Sequence, residues 1–240
     1  MNKLTAVLIT KNEQNKIEDC LKSINWADEI VIVDDESKDD TISLAKKYTK
    51  NIYIRKLDNF ASQKNYVINK AQFNWILAID ADEQVSEELK NEIKGLLKKH
   101  DLKDGYFVPF KNYLGKKWLR HGGLYPDYHL RLFKKDKAKF ENPIHEEITL
   151  ENIGYLKNPI EHKTYDSYKD FWEKVKKYSY IEAKINKKKY PFLSYFKPIK
   201  KFLGIYFKKQ GFRDGFAGLV NACFLSIYDF RIYYFSRSKL

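Results

Sequence analysis

The 240-residue sequence has only two cysteines, Cys20 and Cys223. Far apart and unaccompanied, they make neither a cysteine metal motif nor a disulfide framework, and a reducing compartment fits them. A secretory leader is not expected from the opening residues. Met1-Asn2-Lys3-Leu4 opens a short apolar run that ends at Thr10-Lys11-Asn12, with no small-residue cleavage site. The most apolar stretch, residues 215–228, is interrupted by Asn221 and followed by Asp229 and Arg231. It is too short and polar for a membrane span but suits a membrane interface. No Gly-x-Gly-x-x-Gly and no Walker motif occurs, which argues against dinucleotide and P-loop folds. No internal repeat is visible.

Charge is present in quantity, and its distribution is uneven. The formal net charge is +13. Residues 163–240 hold 18 Lys and Arg against 6 Asp and Glu, and 21 of the 38 aromatic residues. The rest of the chain is nearly neutral. A basic, aromatic tail suits an anionic partner, either nucleic acid or an anionic membrane; the alternative is a set of solvated lysine faces.

The first hundred residues alternate between strand and helix patterns. Residues 4–10, 29–33, 51–55 and 75–79 read as buried strands. Residues 13–24, 37–48, 61–71 and 86–98 read as helices, with Ser37 and Ser86 as caps. Repeated β-α units favour a mostly parallel sheet with helices on both faces, which binds ligands beyond the carboxyl ends of its strands. Polar clusters fall at three of those ends: residues 10–13, 34–40 and 80–83. From Gly105 the texture changes to aromatic-rich strands at 105–113 and 127–133, with a loop at 116–126. A helical pattern covers 167–189 and another 216–235. Three regions are expected: 1–100, 101–165 and the basic tail 166–240.

Alternate residues at a strand end project to one side, so Asp80 and Asp82 can converge on one cation. Hard carboxylates suit Mg²⁺ or Mn²⁺, which bridge protein carboxylates to substrate phosphates. Alone, Asp-x-Asp is a weak signal, and a solvated acidic turn is the simpler explanation. Its place after a buried strand, beside two other polar clusters, favours the chemistry. A carboxylate at 34 or 35 can accept hydrogen bonds from a ribose or base, although capping of the next helix would also account for acids there. Trp118, His121 and Tyr125, with Gly122-Gly123, form either a sugar-packing loop or a core aromatic cluster.

Ile9-Thr10-Lys11-Asn12-Glu13, Val33-Asp34-Asp35-Glu36-Ser37-Lys38-Asp39-Asp40-Thr41 and Asp80-Ala81-Asp82-Glu83 resemble, in residues and spacing, the signature of family 2 glycosyltransferases with the GT-A fold. Residues 59–65, Trp75, Arg131-Leu132-Phe133, Ile144-His145-Glu146 and His162 narrow the resemblance to the subgroup with the β-glucosyltransferases of lipopolysaccharide core synthesis. The likeness covers about residues 3–165. It implies an α/β GT-A fold, here extended by a basic helical tail, and a metal-dependent, inverting transfer of a hexose from a UDP-sugar.

The same resemblance implies roles for individual residues. Thr10, Asn12 and Glu13 would border the nucleotide. Asp35, ahead of Asp34, would contact uracil or ribose, and Lys64 would lie near the nucleotide or its phosphates. Asp80 would face ribose and metal, Asp82 would hold the metal, and Arg131 would meet the diphosphate. His162 would close the metal shell or bind phosphate. Glu146, with Glu147 second, would be the general base, and His145 would contact the donor or orient that carboxylate. The acceptor is expected to be a lipid-linked saccharide, reached from the cytoplasmic face of the inner membrane by peripheral attachment to anionic lipid. A different cell-surface polysaccharide is the nearest alternative. Nucleic acid is not expected as a partner, since the acidic clusters would repel it; a nucleic-acid-binding module remains the rival from another class.

Overall fold

The computed structural model describes residues 2–138, 150–185, 194 and 196–237. By compactness the chain forms two units. The first comprises Met1–Phe110 and Tyr128–His162, the second Lys111–Asp127 and Lys163–Leu240.

The first unit begins with β1 (Leu4–Thr10), α1 (Ile17–Ile24), β2 (Glu29–Asp34), α2 (Thr41–Ala45), β3 (Ile52–Ile54), α3 (Phe60–Lys70) and β4 (Trp75–Ala78). Then come β5 (Glu83–Val85), α4 (Glu87–Leu96), β6 (Gly105–Leu114), β7 (Lys117–Trp118), β8 (Asp127–Lys134), β9 (Ile153–Tyr155) and β10 (Ile160–Tyr165), of which β7 and the last residues of β6 and β10 belong to the second unit. The sheet order is β3-β2-β1-β4-β8-β6-β10-β5, with β7 and β9 attached to β6. Pairing is parallel from β3 through β4 and antiparallel between β4 and β8. The apolar runs of β1, β2 and β4 are buried, as strands covered on both faces must be. One layer of core packs α1 and α4 against Leu4, Leu8, Ile32 and Leu77; the other packs α3 against Val7, Val31 and Ile76. Each such side chain contributes about 1.5–3 kcal/mol by leaving water.

Two helices begin later than the sequence pattern predicts. The segment 13–24 becomes helical only at Ile17, because the Glu13 carbonyl accepts the amides of both Lys16 and Ile17 in a tight turn. The segment 37–48 contracts to α2. Ser37 does not cap it: its hydroxyl and amide both donate to Asp34, and Asp39 takes the amide and hydroxyl of Thr41 instead. Ser86 does cap α4, accepting the Leu89 amide at 3.2 Å. The loop predicted at 116–126 contains the two-residue strand β7.

The second unit carries α5 (Tyr168–Ile185), α6 (Lys197–Leu203), a π-helical turn (Gly204–Lys208), a 3-10 turn (Gly211–Asp214) and α7 (Gly215–Arg237). Leu114, Leu119, Phe171, Val175 and Ala217 form its core. No described helix is long and apolar enough to cross a membrane.

Candidate functional site

Strand β1 has β2 on one side and β4 on the other, so chain order reverses there. In open α/β sheets the crevice beyond the carboxyl ends at such a point holds the ligand. The register pairs Thr10 with Asp34, and Val7 accepts the Ile79 amide, which brings all three polar clusters to one edge.

The loops after β1 and β2 are stitched together. Asn12, at φ 53°, donates its amide to the Ser37 hydroxyl and accepts the Lys38 amide on its side chain at 2.8 Å. The Glu13 amide donates to Thr41. Asp34 is fully buried, its two oxygens taken by Ser37. It shapes this turn. Asp35 accepts the Leu57 amide at 2.8 Å and Lys11 Nζ at 2.6 Å. The Lys11 hydrogen bond, opposed by burial and helped by the Leu57 amide, holds Asp35 below the usual carboxylate range. The Thr10 hydroxyl is buried without a partner among the described residues.

At the end of β4, the pairing of Leu77 with Leu132 sets Arg131 beside Asp80. Arg131 donates to Asp80 Oδ2 at 2.9 Å and Glu83 Oε1 at 2.5 Å, and its guanidinium lies over the Phe110 ring. Its Nε is buried with no partner among the described residues. Burial alone would raise Asp80; the charge of Arg131, then that of Lys64, outweighs it and keeps this carboxyl ionised well below its ordinary range. Lys64 shares with Asp80 and Arg131 a small cleft floored by Ile9, Val67 and Ile79. Glu83 is buried and accepts the Asp80 amide. Burial pushes its carboxyl up against the pull of Arg131, and the charges of Asp80 and Asp82 add to the rise.

Asp82 faces His162, with Oδ2 3.5 Å from Nε2 and both side chains partly exposed. The antiparallel pairing of Glu83 with His162 puts the imidazole there, its ring edge-on to Phe110. Donor atoms of Asp82, Glu83 and His162 lie within 4.8 Å of one another. Glu83 is committed to Arg131 and the Asp80 amide, which leaves a carboxylate oxygen and an imidazole nitrogen. That donor set fits a divalent ion of the Mg²⁺ or Mn²⁺ kind, the imidazole favouring Mn²⁺. His145, Glu146 and Glu147 lie outside the described residues.

Two participants give no sequence signal. Cys20 is buried behind the acidic turn, and its thiol donates to the Asp80 carbonyl at 3.4 Å. Burial, then Glu83 and the two aspartates, pushes that thiol up, so it supports the turn without reacting. Phe110 lies under Arg131 and against His129 and His162. A ring floor of this kind needs the strand pairing to be known. A separate surface hollow lies at the other end of the strands, lined by Asp28, Glu29 and Thr49 among others. Its carboxylates already accept hydrogen bonds from Leu4, Thr5, Asn51 and Gln72.

In the second unit, the loop after β7 is built around His121. Asp214 accepts the His121 amide and Nδ1, each at 2.7 Å. A carboxylate only accepts, so Nδ1 is the donor of this bond. Gly123, at φ 84°, holds a backbone conformation that L side chains rarely adopt, so this position favours glycine. Trp118 meets Tyr125 edge to face at 5.1 Å, with Lys111 and Arg120 over its ring.

The profile of "Glycosyl transferase family 2" matches residues 5–163. A glycosyltransferase of Rickettsia typhi is 30% identical over 241 residues, 92% of this chain and 82% of that protein. The lipopolysaccharide core biosynthesis glycosyltransferase LpsC of Rhizobium meliloti is 27% identical over 95% of this chain and 89% of its own. With another rickettsial relative the match narrows to 100 residues, 36% of that protein's length. The crystal structure of S. aureus TarS in complex with UDP superposes with a TM-score of 0.50 at 15% identity, covering 97% of this chain and 90% of that one. With more than half of its residues inside the family profile and its polar clusters gathered at one edge of a GT-A sheet, the chain belongs to glycosyltransferase family 2.

Proposed function

We propose that the protein is an inverting hexosyltransferase that takes its sugar from a UDP-hexose, UDP-glucose first, in the presence of Mg²⁺ or Mn²⁺. One observation carries this reading: cations and metal-type donors stand side by side at the reversal point of the sheet. Arg131 and Lys64 flank Asp80, while Asp82 turns toward His162.

Asp82 and His162 would hold the ion, with Asp80 at its edge toward the ribose. A bound ion supplies charge stabilisation to the departing diphosphate. Arg131 and Lys64 orient the same phosphates, and Asp35 receives the nucleoside. Thr10, Asn12 and Glu13 border it, Asn12 by shaping the loop. Inversion needs one base on the acceptor side. Glu146 is assigned that role, with His145 orienting it.

The acceptor is assigned as a lipid-linked saccharide such as a lipopolysaccharide core, in line with the role named for LpsC in lipopolysaccharide core biosynthesis. The imidazole of His121 and the Trp118–Tyr125 pair are suited to a sugar ring and its hydroxyls. The enzyme would work peripherally on the cytoplasmic face of the inner membrane. Thermal-shift screening of UDP-, GDP- and dTDP-sugars with Mn²⁺ tests the donor, since a ligand of the folded state raises its melting temperature. UDP-sugars should give the largest shift. No shift together with no transfer or hydrolysis of any UDP-sugar would end the reading.

A further inference from the structure

In the second unit, α6 and the turns after it present apolar side chains to solvent where a helix on a core would bury them. Ile199 is 58% exposed, Leu203 50%, Phe207 57% and Phe216 68%; Phe196 and Phe212 are exposed as well. The inward row of the same segment is already satisfied. Pro198 and Ile205 are buried, and Lys201 pairs with Asp229 at 2.7 Å. The outward row is therefore a second apolar face on an element whose first face is already used.

The backbone keeps this row aligned. Each four-residue step along an α-helix overshoots one turn by about 40°. The π turn at Gly204–Lys208 takes more residues per turn, so the step from Leu203 to Phe207 falls short and returns Phe207 to the row. Around it stand Lys197, Lys200, Lys208, Lys209 and Arg213, all exposed. Among the described residues from 196 to 216 the only acid is Asp214, which is buried against His121.

We infer that the outer face of residues 196–216 is a membrane-docking surface, which inserts its apolar row into the interface of a bilayer and sets its cations on anionic headgroups. Exposed apolar rows of this size mark interaction sites, and an apolar face rimmed by lysine matches an anionic leaflet in charge. A second copy of the chain fits worse, because a two-fold interface would bring the same cations against one another. Nucleic acid also fits worse, since Ile199 and Leu203 offer nothing on which a base can stack. The inference gives the proposed lipid-linked acceptor a means of approach and rests on that reading for its purpose only.

Flotation of the full chain with phosphatidylcholine vesicles, with and without phosphatidylglycerol, tests it, with no donor or acceptor present. The protein should float with the anionic vesicles and less so at high salt. Leu203→Ser with Phe207→Ser should lower partitioning by roughly tenfold or more. Lys200→Glu with Lys208→Glu should lower it by roughly fivefold per lysine, whereas Ile54→Ser, an equally exposed apolar residue of the first unit, should change nothing. Circular dichroism melting establishes that the variants fold. Failure of the wild type to float, or unaltered flotation of both double variants, overturns the inference. So does a dimer, or an RNA gel shift, that the variants abolish in a protein that does not float. Hydrolysis of UDP-sugar in the same preparations keeps the readings separate: flotation without hydrolysis sinks only the catalytic one, and hydrolysis without flotation only this one.

Discussion

Among the described residues, each unit contains an aspartate–histidine pair, and the two are built differently. Asp214 is buried and grips His121 twice, through Nδ1 and through the amide, at 2.7 Å. Asp82 and His162 stand 3.5 Å apart, wide for a hydrogen bond, and both remain partly open to solvent. The first pair has spent its carboxylate on fixing an imidazole. The second keeps a carboxylate oxygen and a ring nitrogen turned toward each other with Glu83 close by. Like residues thus serve orientation in one place and are suited to ion binding in the other. Burial and the count of donors decide which.

The largest effect that would separate the two pairs comes from Asp82→Ala. If this carboxylate holds the ion that stabilises the departing diphosphate, turnover with a UDP-sugar should fall by roughly a thousandfold or more, about 4 kcal/mol. Steady-state kinetics across a Mn²⁺ titration reads this. Unchanged metal-dependent turnover would remove Asp82 from the site and leave its pair with His162 a surface contact.

Asp214→Asn should act on stability instead. The amide keeps one acceptor but turns a donor toward one of the two groups that Asp214 satisfies, a buried mismatch that costs about 1–3 kcal/mol. Urea unfolding should show the loss, while the UDP-induced thermal shift stays at its wild-type size. A weakened UDP shift with unchanged stability would reverse the assignment of the two pairs. His162→Gln is the gentler probe of the open pair: apparent affinity for Mn²⁺ should drop about tenfold with little change in melting temperature.

Much of this was legible in the sequence because it is local. The apolar runs before residues 10, 34 and 80 announce strands, and polar clusters at their ends announce a crevice. What stayed hidden depends on which partner a side chain takes, near or distant in the chain. Nothing near Ser37 shows that its hydroxyl will close on Asp34, so it read as a helix cap. Nothing near His121 points to Asp214, 93 residues on. The basic tail was visible as composition, but composition does not say which face is outermost. Only the burial of Pro198 and Ile205 turns the row at Ile199, Leu203 and Phe207 outward.

A third carboxylate pair tests whether closeness or burial governs these differences. Lys11 Nζ lies 2.6 Å from Asp35, nearer than either histidine lies to its aspartate, yet the lysine side chain is 56% exposed. An ion pair with one arm in water is screened, and contributes under about 1 kcal/mol. Asp35→Asn keeps an acceptor for the Leu57 amide and removes only the charge. Because the folded state holds Asp35 below its unfolded value, the pair's contribution is fully present above the unfolded carboxylate range, near pH 4. It is lost as pH falls through the lower folded value. The melting temperatures of wild type and variant should therefore differ slightly and constantly above about pH 5, then converge as the solution is acidified toward pH 2. A gap as large as that of Asp214→Asn would mean that distance, not burial, sets the strength of these pairs. A variant that melts above the wild type at pH 5 and higher, the two converging on acidification, would mean that Asp35 is raised on folding.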